Sequence, residues 1–336
     1  MSYKLEIIKN PAAEEAGKYI KQAAENIYPP DKAAQRSFSL SALHKVPVFM
    51  VVRNAEGETV GTSALYHNTN LTFEGKPAIA LGHFEALNHS VADLLLQKAR
   101  QEAAHMGFHN IVGPMNGSTW EDYRLNADAG KLQIVPEPWY MPWYNDAFIQ
   151  NGFEVAARYY SSADTLNDSE YAPFFTRVAN RNADDLVIRY IDMNDIDNEL
   201  HKVADVVLQS FQSNLFYTPI SADVFVQKYK AAMSRLEPWQ VLIAEHKGRP
   251  VGLLYGYTMP AEQKTLVMKT LARLPDEQFR ELGKALVFKM MKDAQERNYT
   301  QLIRTVMKYN NGFWDANKFS LGHVQKDYNL YLAHLD

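Results

Sequence analysis

The stretch Pro47-Val-Phe-Met-Val-Val-Arg-Asn-Ala-Glu-Gly-Glu-Thr-Val-Gly61-Thr-Ser-Ala-Leu-Tyr66 has a counterpart much later in the chain, Trp239-Gln-Val-Leu-Ile-Ala-Glu-His-Lys-Gly-Arg-Pro-Val-Gly252-Leu-Leu-Tyr-Gly-Tyr257. Each has a run of apolar β-formers, a polar turn containing glycine, and a second apolar run that opens on Val-Gly. Apolar β-formers on both sides of a short Gly-containing turn predict a β-hairpin. Finding the same hairpin twice predicts an internal repeat, and a repeat sets how the rest of the chain is read.

The repeat extends in both directions. Upstream, Leu5-Glu-Ile-Ile8 and Leu186-Val-Ile-Arg-Tyr190 read as opening strands, each followed by a helical stretch, at 11–28 and 195–212. Downstream, Ser90 to Met106 and Phe279 to Arg297 read as long amphipathic helices. In the second of these Phe279, Leu282, Leu286, Val287, Met290 and Met291 fall on one face at helical spacing. Short strands follow at Asn110-Ile-Val112 and Gln301-Leu-Ile-Arg304, then a late helix and a Gly turn at Gly152-Phe153 and Gly322-His323. Each half therefore reads β-α-α-β-β-β-α-β-α-β. The expected fold class is α/β, with a first domain over 1–165, a polar connecting segment over 166–185 that contains a short helix near Tyr171, and a second domain over 186–336.

Composition excludes several classes. The 336 residues include no cysteine, which removes disulfide scaffolds, thiol nucleophiles and Cys-based metal sites. The formal net charge is −4 and the basic residues form no block, which argues against a nucleic-acid partner. The apolar run Val46–Val52 is far shorter than the ~20 residues that span a bilayer. The opening Met1-Ser-Tyr-Lys-Leu-Glu lacks a basic-then-apolar leader pattern, so a cytoplasmic protein without a membrane partner is expected. His105 and His109 have i,i+4 spacing, but Gly107 interrupts the helix between them, and no metal is expected. No G-x-S-x-G, P-loop or G-x-G-x-x-G is present.

The doubled element order resembles the GNAT acyl-CoA N-acyltransferase superfamily, present here in tandem. That resemblance implies two domains, each a mixed, mostly antiparallel sheet flanked by helices. In this superfamily a strand leads through Q/R-x-x-G-x-G/A into a helix whose N-terminal amides hold the pyrophosphate of an acyl-CoA, the general chemistry of a helix start toward phosphate. The second half carries Leu271-Ala-Arg-Leu-Pro275-Asp-Glu-Gln278-Phe-Arg280-Glu281-Leu-Gly283-Lys-Ala285-Leu. In one register Gln278 opens the motif, Gly283 closes it and Glu281 replaces the middle glycine; in another, Arg280, Gly283 and Ala285 match. The resemblance thus implies a donor site on Leu271, Ala272, Gln278, Arg280, Glu281, Leu282, Gly283, Lys284, Ala285 and Asn311. Phe84-Glu-Ala-Leu-Asn-His-Ser in the first half has no such glycines, so that half is expected to be degenerate and to bind no CoA.

Gly113-Pro114-Met-Asn116-Gly-Ser118-Thr, Pro142-Trp-Tyr144 and Ser213-Asn214-Leu-Phe216-Tyr-Thr-Pro219 are similar to stretches of a bacterial tandem-GNAT group without an assigned activity. Asn116, Ser118 and Tyr144 are read as substrate candidates; the structural alternatives are a plain turn for the first two and, for the Pro136–Tyr144 segment, a wedge between the two domains. The family's late-helix acid, in N-x-x-A-x-x-x-Y-x-x-x-G-F, is not kept. Asn311 and Gly322 fit the pattern, but Lys318 stands at the Tyr position, with Tyr309, Tyr328 and Tyr331 nearby. Lys318 and Tyr309 are the weak catalytic candidates. The expectation is acyl transfer from acetyl-CoA or another acyl-CoA to an amine on a small-molecule acceptor, by a monomer or weak homodimer. Two alternatives stay open: an inactive GNAT-fold protein that binds acyl-CoA or a small ligand, and aminoacyl transfer as in Fem-like tandem relatives.

Overall fold

The computed structural model describes residues 2–34, 36, 43, 46–127, 134–166, 186–260, 264–309 and 323–335. The first half runs β1 (Lys4–Lys9), α1 (Ala13–Ile27), α2 (Pro30–Ala33), β2 (Val48–Arg53), β3 (Thr59–Tyr66), β4 (Thr72–Phe73), β5 (Lys76–Ala86), α3 (His89–His105), β6 (Asn110–Gly113), β7 (Leu125–Asn126), α4 (Tyr144–Gln150) and β8 (Glu154–Thr165). The second runs β9 (Leu186–Tyr190), α5 (Ile196–Phe211), α6 (Ala222–Met233), β10 (Val241–His246), β11 (Arg249–Thr258), β12 (Thr265–Arg273), α7 (Leu282–Glu296), β13 (Gln301–Lys308) and β14 (His323–His334). The expected connecting helix near Tyr171 and the second late helix lie outside the described residues.

The chain divides into two compact units. The first is Met1–Tyr159 with Leu215–Thr218 and Lys326–Asp336; the second is Tyr160–Asn214 with Pro219–Gln325. In the first unit the strands lie in the order β1-β2-β3-β5-β6-β14, and in the second β8-β13-β12-β11-β10-β9. The last strand of each unit therefore comes from the other half of the sequence. β14 pairs antiparallel with β6 from Tyr331↔Gly113 to His334↔Asn110, and Tyr160–Thr165 of β8 lie beside β13.

Both predicted hairpins form. β2 and β3 pair antiparallel from Val48↔Leu65 to Val52↔Gly61, and β10 and β11 from Val241↔Tyr255 to Ala244↔Gly252. The repeated Val-Gly has a packing cause. A Cβ on Gly61 would stand 2.4 Å from Val91 Cγ1 and 3.1 Å from Leu95 Cδ1 of α3; one on Gly252 would stand 2.9 Å from Leu282 Cδ2 and 3.1 Å from Leu286 Cδ1 of α7. In each half the glycine lets the long helix settle onto the sheet. The cores form there. Phe84, Leu95, Leu96, Ala99, Phe148 and Tyr331 are buried together in the first unit, and Leu242, Leu254, Leu286, Met290 and Leu302 in the second. Each fully buried Leu or Phe contributes roughly 1.5–3 kcal/mol relative to exposure.

The two long helices start differently. Asn88 caps α3 by accepting from Val91 N at 3.1 Å. α7 starts at Leu282, later than the periodicity implies, because Asp276 first caps a 3-10 turn over Glu277–Phe279. No helix among the described residues is long and apolar enough to cross a membrane.

Candidate functional site

In the second unit β12 and β13 run parallel and are laddered from Thr265↔Gln301 to Met268↔Arg304. There the ladder stops, although β12 continues to Arg273 and β13 to Lys308. The two strands separate because each follows its outer neighbour. β12 stays with β11 through Gly252↔Arg273, with a bulge at Lys269. β13 is fastened to β8: the buried Arg304 guanidinium donates to Ser162 Oγ at 3.2 Å and pairs with Asp164, and Ser161 Oγ donates to Thr305 Oγ1 at 2.9 Å. The result is a fork: beyond Met268 and Arg304 the two strands are not laddered to each other among the described residues.

Beyond the tip of β12 the chain turns into α7. Leu274 N bonds Val251 O at 2.9 Å, and Asp276 accepts from Gln278 N at 3.0 Å and from Gln278 Nε2 at 2.8 Å. These bonds hold the Asp276 carboxyl below the usual range. Arg273 braces the turn by donating to Leu274 O at 2.8 Å. Lys284 N and Ala285 N bond back to Glu281 O. Among the described residues the N–H groups of Leu282 and Gly283 have no backbone acceptor, as expected of a helix start. The Glu281 carboxylate, whose charge opposes an anion at this place, is held by Lys284 Nζ at 2.8 and 3.1 Å. Gln278 and Arg280 are exposed and Arg280 pairs with Glu277 at 3.1 Å; Gly283 and Ala285 are buried. Leu271 and Ala272 lie on the part of β12 that has left the ladder. The structure thus brings together every residue expected at the donor site except Asn311, which lies outside the described residues.

On the α5/α6 side of this fork, Tyr255 pairs with Thr270 across β11 and β12 and its ring meets Tyr229, itself stacked on Phe225 at 4.7 Å. Neither β12 nor β13 contains an Asp, Glu or His. Tyr309 packs its ring on Tyr160 at 4.7 Å, and Lys318 lies outside the described residues.

The first unit has the same fork with a different content. β5 and β6 are laddered from Ala78↔Asn110 to Ala80↔Val112, and β5 continues to Ala86. Here the segment after β6 closes the gap. Met115 N donates to Leu81 O at 2.7 Å, and Asn116 Oδ1 accepts from His83 N at 2.8 Å. The plug needs Gly82, since a Cβ there would stand 2.5 Å from Met115 O and 2.8 Å from Asn116 Cα. Asn116, read as a substrate residue, is therefore committed to its own sheet. Ser118 Oγ likewise accepts from Trp120 N at 3.3 Å within the turn. Tyr144 does not face a substrate either. It is fully buried, with its hydroxyl bonded to Ala86 N at 2.8 Å and Ala86 O at 3.0 Å, where burial raises its pKa.

A polar cluster at the end of β5 escapes a reading of the sequence. Glu85 is fully buried, accepting from Tyr28 Oη and from the Arg36 guanidinium, which lies 4.3 Å from the Tyr140 ring. Tyr28 Oη also meets Tyr144 Oη at 3.0 Å. Beside them His83 Nδ1 bonds Tyr66 Oη, and burial together with the Arg36 charge lowers the His83 pKa to about 3. Nothing in Phe84-Glu-Ala marks a buried carboxylate, and Arg36 stands in the polar run Gln35-Arg36-Ser37, which reads as exposed. Among the described residues no group of three or more His, Asp or Glu side chains is placed to hold a metal ion.

No family model matches the sequence, and a search of curated proteins finds no match. Solved structures do match in fold. A tandem GNAT protein from the clavulanic acid biosynthesis pathway, solved without AcCoA, aligns over 100% of this chain and 99% of its own at TM-score 0.58 and 11% identity. A GCN5-related N-acetyltransferase from Sphaerobacter thermophilus covers 99% of this chain and 96% of its own at TM-score 0.54 and 12% identity. A probable N-acyltransferase from Enterococcus faecalis covers 100% of this chain and 73% of its own at TM-score 0.58 and 8% identity. At such identities the likeness is one of fold, and it spans the whole chain: the protein has the tandem GNAT fold.

Proposed function

We propose that the chain is an N-acyltransferase that takes its acyl group from an acyl-CoA in the second unit and passes it to an amine on a small molecule. The observation that carries this reading is the fork of β12 and β13 running into the start of α7, where Leu282 and Gly283 offer unspent amides. An anion is stabilised at such a helix start by the orphan N–H groups and the helix dipole. Lys284 compensates the Glu281 carboxylate there. The N-acetyltransferases of similar fold support the donor class.

In this reading the separated edge of β12 receives the amide-bearing arm of the donor by strand-like hydrogen bonds. That leaves the thioester carbonyl at the fork, on the side of Tyr255, Thr270 and Tyr229. The amine nitrogen attacks the carbonyl carbon, the C–N bond forms, the C–S bond breaks, and the amine's proton ends on the departing thiolate. With no carboxylate or imidazole on β12 or β13, the rate derives from positioning and backbone polarisation. The same lack favours a second reading, a protein that binds acyl-CoA without turning it over.

Isothermal titration with acetyl-CoA tests both readings. We expect binding by the wild type, and loss of binding in Gly283→Glu, which places a side chain and a carboxylate at the helix start. Loss of one charge-assisted bond, about 1.5–3 kcal/mol, weakens binding by about tenfold to about 150-fold. Absence of heat with the wild type at millimolar acetyl-CoA overturns the donor site. Binding without thiol release over a panel of amines favours the non-catalytic reading.

A further inference from the structure

The closed fork of the first unit leads to a second polar site. The chain that plugs it returns as a hairpin: Asn116 N bonds Asp122 O at 3.0 Å, Met115 bridges Tyr123, and Arg124 N bonds Pro114 O at 2.8 Å. Arg124 ends this hairpin at φ 74°, a conformation that a side-chain-bearing residue rarely adopts. Its guanidinium carbon lies 4.1 Å from the Tyr123 ring centre, 4.9 Å from that of Tyr159 and 5.7 Å from that of Tyr328. Tyr159 and Tyr328 are buried, and Tyr123 meets Tyr159 edge-on at 5.9 Å. Three rings thus fix the orientation of the guanidinium while offering no acceptor to its edge.

Glu137, the carboxylate whose field reaches Arg124, is engaged by Lys326 Nζ at 2.9 Å and by Tyr328 Oη at 2.8 Å. Lys326 is itself buried. Among the described residues no carboxylate or carbonyl oxygen is within hydrogen-bond distance of the Arg124 guanidinium. A planar fork of N–H donors, held by rings and left without an oxygen partner, fits an oxyanion that presents two oxygens side by side.

We propose that Arg124 is the anchor of an oxyanion-binding subsite in the first unit, for a ligand bearing a carboxylate or a phosphate. The subsite is separate from the proposed donor site, and its failure leaves that reading untouched. The hairpin that carries Arg124 also carries Asn116, so a bound oxyanion would hold the plug in place.

The test is a titration of the full-length wild type with inorganic phosphate and, separately, with malonate, at an ionic strength held constant with chloride. The readout is the Nε–Hε resonance of Arg124, assigned by its disappearance in Arg124→Lys. A saturable shift of this resonance with either oxyanion is expected. A stronger response to phosphate assigns a phosphate-bearing ligand, and a stronger response to malonate assigns a carboxylate. Arg124→Lys keeps the charge and loses the fork, and should weaken binding by about tenfold as read from backbone amides of the hairpin. Should that variant not fold, Tyr123→Leu, which removes the nearest ring, should weaken binding by a few-fold. No shift with either oxyanion, or a shift that chloride reproduces, overturns the proposal.

Discussion

The two forks of this protein start from one plan and end in opposite states. In each, a Val-Gly glycine seats a long helix and two parallel strands part after a short ladder. Matched by their partners across the hairpin strand, Glu85, opposite Thr62, corresponds to Ala272, opposite Leu253, and Gly82, opposite Ala64, corresponds to Thr270, opposite Tyr255. The first unit carries a buried carboxylate on β5 and closes its fork with Met115 and Asn116; in the second, β12 and β13 carry no carboxylate and are not laddered to each other past Met268 and Arg304 among the described residues. Once sealed, a fork no longer needs a glycine-rich helix start, and α3 is capped by Asn88 instead.

The comparison can be broken at several points. The largest effect is expected from Arg36→Ala, which strands the Glu85 carboxylate in the core. Removal of one partner of a buried ion pair costs about 3–5 kcal/mol, and denaturant unfolding should show it. A loss below about 1 kcal/mol, the value of a surface pair, would mean that the cluster is solvated.

Gly82→Ala should cost about 3 kcal/mol, because the new methyl meets the backbone of the plug rather than a movable side-chain tip. Thr270→Ala at the corresponding position should cost no more than about 1 kcal/mol, the worth of its one hydrogen bond to Tyr255. Equal losses at the two positions would show that the forks are alike after all.

His83 predicts a pH dependence. Its pKa is pushed down to about 3 from the usual 6.5, so between those values the unfolded chain takes up a proton that the folded chain refuses. The stability it contributes is complete above the unfolded value and falls as pH drops through this window, by at most about 1.4 kcal/mol per pH unit. His83→Gln should flatten that slope in urea unfolding between pH 6.5 and 4.

The smallest effect sharpens the comparison on the other side. Glu281→Gly removes a negative charge beside the α7 amides and frees Lys284 from its pair. Acetyl-CoA affinity should rise by a few-fold, since such a helix-terminus charge is worth about 0.3–1 kcal/mol. An unchanged or weaker affinity would place the anion elsewhere.

Much of the fold is legible in the order of residues because the relevant signals are local. Apolar runs around Gly-containing turns encode the hairpins, helical periodicity encodes α3 and α7, and the repeated Val-Gly encodes the doubling. The segment from Leu271 to Ala285, proposed as the donor site, is local too, and it spans a strand tip and a helix start. The intramolecular bonds of Asn116, Ser118 and Tyr144 were not legible for the opposite reason. A polar side chain in a turn or an aromatic in a Pro-rich segment looks the same in sequence whether its partner is a ligand or its own sheet.

Tertiary structure alone decided three things. It passed the last strand of each unit from one half of the sequence to the other, so that β14 completes the first unit and the end of β8 flanks β13. It assembled Glu85, Arg36, Tyr28, Tyr140 and Tyr144 from four separate segments into one buried cluster. It filled the first fork with Met115 and Asn116 and ended the β12–β13 ladder of the second at Met268 and Arg304. Strand exchange and burial depend on pairings between residues far apart in the chain, whose energies come from desolvation and hydrogen bonds made only on folding. Propensity and spacing, which act over a few residues, carry no record of them.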